Sequence, residues 1–211
     1  MPLSADETRR KLVDAATRAF AEDGVFTASL IDITRKAAQR NRGAVHYHFG
    51  SREGLLCAVL ERHVDFLARR EGELLEVALR QPDDDVSSVV EAIVRPAAEL
   101  ADSGWRGRCF LMILAQLVEE DQSTLPAELQ AVLARTGGYD VYALLGRRMG
   151  SFRPDIETER FSLATEFILR AVADRARARD RKGRGGRQQL DEEAFVRNLV
   201  AMVSAAMAAP Y

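Results

Sequence analysis

The 211-residue sequence predicts an all-α protein, with a small three-helix head at its N-terminus and a larger helical body behind it. Apolar residues recur at helical spacing along most of the chain, as at Leu12, Ala16 and Ala19 in its first segment. Ala, Leu, Arg and Glu are abundant and only 6 residues are proline, a composition that favours helix. A third observation divides the chain. Residues 33–52 carry five basic side chains and no Asp or Glu, although the whole chain has 30 basic and 32 acidic residues.

This acid-free segment predicts a helix-turn-helix that binds DNA. A module that inserts into a DNA groove needs short helices joined by a tight turn, and positive charge on the side that faces the DNA. Residues 1–56 hold 9 basic and 7 acidic side chains, whereas the remaining residues hold 21 and 25. A mildly basic head on an acidic body fits a specific contact made by one end of the protein. We therefore assign residues 1–52 to a DNA-binding domain, and 53–211 to a helical regulatory and dimerisation domain.

Each helix of the head has a start or stop signal. Acidic residues suit the start of the first helix, and Gly24 ends it, after which Phe26 is expected to fold back and close the small core. Thr27 or Ser29 provides the cap of the second helix. The third helix is expected to span residues 42–48.

The body is predicted to consist of longer helices. The fourth helix starts after Ser51, and one apolar stripe along it allows packing on both the head and the body: Leu56, Leu60, Val64 and Leu67. Pro96 predicts a kink or a break in the fifth helix. The arginine- and glycine-rich residues 174–190 predict a mobile basic loop before the last helix.

Several classes of protein are excluded at this stage. Cys57 and Cys109 lie in apolar helical patterns, which predicts buried free thiols. The N-terminus lacks an apolar segment of signal-peptide length, and the longest strictly apolar run, residues 109–115, is too short to span a bilayer, so we expect a cytoplasmic protein. No Glu-x-x-His, P-loop, Gly-x-Ser-x-Gly or Cys-x-x-Cys motif is present, so we predict neither an enzyme nor a cofactor or metal site.

Residues 44–55, AVHYHFGSREGL, carry a Tyr-x-Phe followed by a small residue, Ser, a base and an acid. With the spacing of Leu12, Phe20 and Gly24 before it, this pattern resembles the TetR family of bacterial transcriptional regulators over the first 70 or so residues. Residues 191–200, DEEAFVRNLV, are similar to the family's last helix. The resemblance implies a homodimer that binds DNA and that acts as a repressor, which is the commoner activity in the family.

The turn after the second helix departs from the family pattern. The family usually has Ala-Gly followed by two residues, whereas residues 37–41 read AAQRN, with Ala38 in place of Gly and one extra residue. Either the second helix runs longer or the turn is wider.

Candidate DNA contacts lie around the third helix. Arg42, at its expected start, is the predicted base reader, since a bidentate Arg–guanine contact discriminates by about 1–3 kcal/mol. Gly43 and Ala44 would let the helix lie close to base edges, and the Ala44 methyl group could meet a thymine methyl group. The same segment also offers Arg40 and Asn41.

Other candidates are assigned to the DNA backbone. The family resemblance implies that Tyr47, His48 and Arg52 grip phosphates. The hydroxyls of Thr27 and Ser29 could donate to phosphates from the start of the second helix, although capping alone is an equally good interpretation. His46 is a further contact, or else a solvent-facing residue.

The body is expected to hold a small, largely apolar ligand that shifts the tilt of the fourth helix and separates the two heads. Its candidate contacts are His63, Phe66, Trp105, Cys109, Phe110, Met112, Tyr139, Tyr142 and Phe167. Ordinary core packing is the alternative for each. A protein partner in place of the ligand, or activation in place of repression, stays open.

Two helices near the C-terminus have broad apolar sectors, which predicts a four-helix seam between two copies of the chain. The candidate seam residues are Phe161, Ile168, Phe195, Leu199, Met202 and Val203.

Overall fold

The computed structural model describes residues 4–118, 120, 122–180 and 188–210, and these residues form helices without any β-strand. The α-helices are α1 (Ala5–Asp23), α2 (Leu30–Lys36), α3 (Ala44–Phe49), α4 (Arg52–Ala78), α5 (Val86–Asp102), α6 (Trp105–Val118), α7 (Ala127–Ala134), α8 (Gly138–Arg148), α9 (Pro154–Asp180) and α10 (Glu192–Ala208). A short 3-10 helix, Gln122–Thr124, precedes α7. The predicted fold class is confirmed.

Helices α1 to α3 form the head around a core that the first half of α4 completes. Phe20 and Ile33 are fully buried there, together with Leu55 from α4. Gly24 has φ +97°, and this turn directs Val25 inward, while Phe26 stays half exposed. The expectation that Phe26 closes the core is therefore wrong, because the left-handed glycine places the preceding hydrophobic position, Val25, on the inner side.

The turn between α2 and α3 is wide. Helix α2 ends at Lys36, and Ala38 takes a left-handed φ of +57° in the place where the family usually has glycine. The side chain of Asn41 then accepts a hydrogen bond from the backbone N–H of Gly43 at 2.9 Å. This local bond keeps residues 41–43 in a turn conformation. The third helix therefore begins at Ala44, two residues later than the predicted start at Arg42.

Helix α4 joins the head to the body as one continuous helix of 27 residues. At its far end the buried guanidinium of Arg148 donates to the carbonyl oxygens of Ala78, Gln81 and Asp85, and to the hydroxyl of Ser88. These bonds satisfy carbonyl groups at the end of α4 and fix the start of α5 beside them.

Helix α5 runs unbroken from Val86 to Asp102 with Pro96 inside it, so the predicted break is not observed. It packs against α4, α6, α8, α9 and α10. Because α5 is packed by five helices, the free energy gained from burial exceeds the cost of the backbone hydrogen bond that Pro96 cannot donate. Both cysteines are free thiols, as expected, with Cys57 buried and Cys109 half-buried.

The predicted loop at residues 174–190 begins too early. Helix α9 continues to Asp180 because Ala173 and Ala176 remain buried within the arginine-rich stretch. The Arg175 guanidinium lies 4.4 Å from the ring centroid of Phe195 on α10. Residues 181–187 of the predicted loop lie outside the described residues. Within the described ranges, none of the helices combines the length and apolar character needed to cross a membrane.

Candidate functional site

A group of exposed residues lies on and just before α3, and we call it the reading face: Arg40, Asn41, Arg42, Gly43, His46 and Tyr47. Tyr47 is 81% exposed. Within the described part of the chain, neither Arg40 nor Arg42 forms an ion pair, whereas Arg35 and Lys36 on α2 are paired with Asp32 and Asp23. The reading face therefore offers two uncompensated positive charges to a partner.

The opposite side of α3 is packed into the head. Ala44 and Val45 are buried, which makes the predicted contact of the Ala44 methyl group with DNA wrong, because the first turn of this short helix faces the core. Phe49 is partly buried, and the Arg9 guanidinium lies 4.7 Å from its ring centroid. His48 is half-buried, and its ring meets the Tyr47 ring edge-on at 4.9 Å. These contacts hold the orientation of the reading face.

The hydroxyl groups near α2 have different roles. Ser29 accepts a hydrogen bond from the Asp32 N–H at 3.2 Å and is exposed, so it caps α2 and keeps its own hydrogen for another acceptor. Thr27 donates its hydroxyl hydrogen to the carbonyl oxygen of Asp23. The donation from Thr27 to a phosphate stays a prediction, since this exposed hydroxyl would have to exchange its present acceptor for the phosphate.

Arg52 occupies the boundary between the head and α4. Its Nη1 donates to the carbonyl oxygen of Val25 at 3.1 Å, and its side chain is half-buried. This bond ties the start of α4 to the turn after α1. Its expected phosphate contact stays a prediction, to be made by the N–H groups that this bond does not use.

The body contains a cavity of about 360 Å³ between α4, α5, α6, α8 and α9, and we call it the body cavity. Apolar side chains such as Leu111 and Leu114 form most of its wall, and Tyr139 and Tyr142 of the predicted ligand set also line it. The Tyr142 hydroxyl is hydrogen-bonded to the Thr165 hydroxyl. Burial raises the pKa of Tyr142 to about 12, and the nearby Glu71 contributes to the rise.

The remaining predicted ligand contacts lie elsewhere. Phe110 is fully buried and meets the His63 ring edge-on at 5.3 Å, outside the body cavity. Burial, reinforced by Arg62 and Arg106, lowers the pKa of His63. Phe66 packs beneath Arg69, and Phe167 is 44% exposed on the outer face of α9. These positions differ from the prediction because helical spacing alone does not tell which side of an apolar helix borders a cavity.

Trp105, Cys109 and Met112 line a separate cleft between α1 and the body. The Trp105 ring lies between two guanidinium groups, 3.7 Å from that of Arg18 and 4.6 Å from that of Arg106. These three residues, predicted as ligand contacts, therefore lie at the junction between the head and the body and not in the body cavity, and their contact with a ligand stays a prediction.

The junction has two polar connections. Gln116 on α6 accepts from the Val25 N–H at 2.9 Å and donates to the carbonyl oxygens of Phe20 and Met112. Asp14 on α1 is bound by Arg106 and Arg62, whose hydrogen bonds hold its pKa down at about 2. The head is therefore attached to the body through α1 and its following turn as well as through α4.

The polar residue that sequence analysis missed is Glu71. It is 8% exposed, it lines the body cavity, and its Oε2 has no hydrogen-bond partner among the described residues. Burial raises the pKa of Glu71 to about 8. A signal was available, since Glu71 continues the inward stripe of α4 that Val64 and Leu67 begin. An acid at the next position of a buried stripe is an exception that predicts either strain or a site.

Helices α9 and α10 present apolar side chains outward, but not the full predicted set. Ile168, Leu199 and Val203 are buried within the subunit, so these three predictions of an intersubunit contact are wrong. Phe161 is half-buried and lines the body cavity, and its intersubunit contact stays a prediction. Phe195 is half-buried beneath Arg175, as described above. The exposed apolar side chains here are Leu163, Phe167 and Met202. The predicted residues pack between α9, α10 and the rest of the body because a broad apolar sector serves the subunit's own core first.

Two family models match the chain. The model described as "Bacterial regulatory proteins, tetR family" matches residues 12–59, and the one described as "Tetracyclin repressor-like, C-terminal domain" matches residues 91–206. The repressor KstR2 of Rhodococcus jostii is 28% identical over 174 residues, which cover 79% of this chain and 80% of KstR2.

Shorter matches are more similar. The regulator SrpR of Pseudomonas putida is 46% identical over 56 residues, 26% of each chain, and AcrR of Shigella flexneri is 33% identical over 90 residues, 43% of this chain and 40% of AcrR. The chain thus spans well under half the length of these two relatives.

Solved structures share the fold. The structure of the transcriptional regulatory protein RHA5900 superposes with a TM-score of 0.56 at 24% identity, covering 96% of this chain and 100% of that one. AibR, in complex with isovaleryl coenzyme A and operator DNA, superposes with a TM-score of 0.53 at 16% identity, covering 92% and 97%. At these identities the likeness concerns the fold alone.

Proposed function

The chain belongs to the TetR family of transcriptional regulators, and on that premise we propose that it is a repressor that binds a palindromic operator as a homodimer and is released by a small, largely apolar ligand. The observation that carries the DNA-binding part is the reading face, where Arg40 and Arg42 are exposed beside a helix whose other side is locked into a core. The body is the place for control.

The proposed DNA contact divides into positioning and reading. Tyr47 and the exposed nitrogens of Arg52 suit phosphates, which fix orientation without carrying sequence information. Arg42 stands immediately before the N-cap of α3, and its guanidinium suits a guanine edge in the major groove. Arg40, Asn41 and His46 remain candidate contacts, and Ser29 has a hydroxyl hydrogen available for a phosphate.

The proposed dimer uses the outer faces of α9 and α10. Leu163 and Phe167 stand four residues apart on α9, and Met202 is exposed on α10 among small neighbours such as Ala201 and Ala205. Exposed apolar side chains on two adjacent helices are what a symmetric four-helix contact would cover. A two-fold axis there would present two reading faces to one duplex.

The proposed control passes through α4. This helix contributes Leu67 to the wall of the body cavity and Leu55 and Leu56 to the head core. A ligand that prefers one tilt of α4 would change the spacing of the two heads. A differential affinity of two or three kcal/mol corresponds to about a 100-fold loss of operator affinity. The open volume of the body cavity favours this mechanism over control by a protein partner.

The test starts with selection of bound duplexes from random oligonucleotides, and we expect a palindrome. Titrations on point variants of that operator then compare Arg42→Ala with the matched control Arg80→Ala, an exposed arginine beyond the far end of α4. Arg42→Ala should weaken binding by about 1–3 kcal/mol and relax specificity at one position in each half-site. Unchanged discrimination by Arg42→Ala would contradict the assignment, and absence of any selected duplex would contradict the function.

A further inference from the structure

We propose that the effector of the body cavity is an apolar primary amine, bound as a cation with Glu71 as its counter-ion. The proposal rests on the ligand-controlled function above and specifies its chemistry. It follows from the charge, the burial and the surroundings of one carboxyl group that the fold itself leaves without a partner.

One carboxyl oxygen of Glu71 lacks a hydrogen-bond partner among the described residues. Its Oε2 is enclosed, and no hydrogen bond to it comes from the described residues. The hydroxyl groups of Tyr142 and Thr165, which both line the cavity, are hydrogen-bonded to each other. A buried polar atom left unsatisfied costs about 1–3 kcal/mol, and more when it is charged. A hydrogen-bond donor on a ligand in the body cavity would therefore remove the cost of leaving Glu71 unsatisfied.

The turn before α8 keeps side chains away from this carboxyl group. Gly137 has φ +91°, and a Cβ atom there would lie 3.1 Å from Ala68 Cα and 3.5 Å from Glu71 Oε2. The glycine lets the turn close over α4 without supplying a donor. Glu71 itself lies in the wall of the body cavity and is only 8% exposed.

The charge balance selects the sign of the ligand. The described residues that line the body cavity include Glu71 and no Lys, Arg or His. Arg70, the residue before Glu71 on α4, is held by Glu99 at 2.8 Å and by Glu73 at 2.9 Å. An anionic ligand would meet the carboxyl group with no compensating cation, whereas an ammonium group supplies both a charge and donors.

The remainder of the wall suits the apolar part of such a molecule. The rings of Tyr142 and Phe161 meet edge-on at 5.6 Å, and Leu111, Leu114 and Leu117 face the same space. Aromatic faces also attract a cation at short range. Burial, which raises the pKa of Glu71, keeps the acid neutral while the cavity holds no cation, so amine binding would displace its proton to solvent.

Three probes of matched shape test the proposal on the full-length protein by isothermal titration near neutral pH: phenylbutylamine, phenylbutanol and phenylbutyrate. The amine should bind about tenfold or more tightly than the alcohol, and the carboxylate should bind most weakly. Glu71→Gln keeps the shape of the side chain and should lower amine affinity at least about tenfold while leaving the alcohol within about threefold. Glu76→Gln, an exposed acid on the same helix, is the matched control and should change none of the affinities.

The outcomes separate the two levels of the hypothesis. If the alcohol binds and the amine has no advantage in the unmodified protein, the amine proposal is overturned and the ligand-controlled function stands. Equal amine affinity in Glu71→Gln would overturn it as well. If none of the probes binds to protein that still binds its operator, the ligand-controlled function fails, and the amine proposal fails with it. The selectivity of the unmodified protein decides the question even if Glu71→Gln does not fold.

Discussion

The head and the body use polar side chains in opposite ways. On the reading face, Arg40 and Arg42 are exposed and form no ion pair with any residue that the structure describes. The body places its polar side chains at buried or half-buried positions. Arg148 and Gln116 form hydrogen bonds with backbone groups, whereas Oε2 of Glu71 has no hydrogen-bond partner among the described residues. The comparison teaches that exposed unpaired charge marks an external partner, whereas buried polar groups must be sorted by whether they are satisfied.

The largest expected effect concerns Arg148. Arg148→Ala should lower the free energy of unfolding by about 3–5 kcal/mol, because four acceptors at the junction of α4 and α5 lose their donor. Urea unfolding followed by circular dichroism measures it. The exposed neighbour Arg147 and the reading-face residue Arg42, each changed to Ala, should stay within about 0.5 kcal/mol. A comparable loss of unfolding free energy in Arg42→Ala would contradict the contrast drawn between the reading face and the body.

The pH dependence of stability isolates Glu71. Its folded pKa, about 8, exceeds the ordinary value of 4.5, so the folded state holds a proton that the unfolded state releases, and stability falls as pH rises between these values. Glu71→Gln should remove this loss and be more stable than the parent at pH 8 by roughly 1–3 kcal/mol. Unfolding curves at pH 5 and pH 8 test it, and parallel curves for parent and variant would contradict the assignment.

Gln116 tests the junction between the two regions. Gln116→Leu should leave the Val25 N–H and the Phe20 carbonyl group without their partner, at a cost of about 1–2 kcal/mol. Hydrogen exchange at the Val25 amide should accelerate, while core amides of α4 change less. Gln130→Leu, whose side chain bonds only locally to the Leu125 carbonyl group, provides the control. Unaltered exchange at Val25 would show that the junction does not depend on Gln116.

The smallest expected effect is a gain in stability from a substitution in the turn between α2 and α3. Ala38→Gly should stabilise the protein by about 0.5–1 kcal/mol, because glycine adopts the left-handed φ of +57° without steric cost, which exceeds the entropy it adds to the unfolded chain. Ala37→Gly, at a neighbouring residue with φ −77°, should destabilise instead. Thermal unfolding midpoints compare the two, and a lower midpoint for Ala38→Gly would indicate that the turn relaxes around the alanine.

The head was the more predictable region because its signals are local. Ser29 caps α2, Gly24 ends α1, and the all-α class follows from spacing and composition. The start of α3 was predicted too early because the bond between the Asn41 side chain and Gly43 competes with the helix. The inward position of Ala44 followed from that shift.

The body was less predictable because its helices are apolar on several sides. Spacing in α6 does not distinguish Phe110, which fills the core, from Leu111 and Leu114, which border the body cavity. The same ambiguity assigned Ile168 and Leu199 to the dimer seam. Glu71 was predictable in principle, since a charge interrupts an otherwise apolar stripe, but its significance requires the cavity that α5, α6, α8 and α9 form together with α4.

The clamp of Arg148 has a mechanical consequence. Because it anchors α4 at Ala78, the proposed tilt would turn that helix as a lever about this end. From this pivot to Arg52 the lever is about 40 Å long. A swing on the order of 5° would carry the end at Arg52, with the head packed on it, by roughly 3 Å, so a smaller displacement at Glu71 gains amplitude with distance from the pivot.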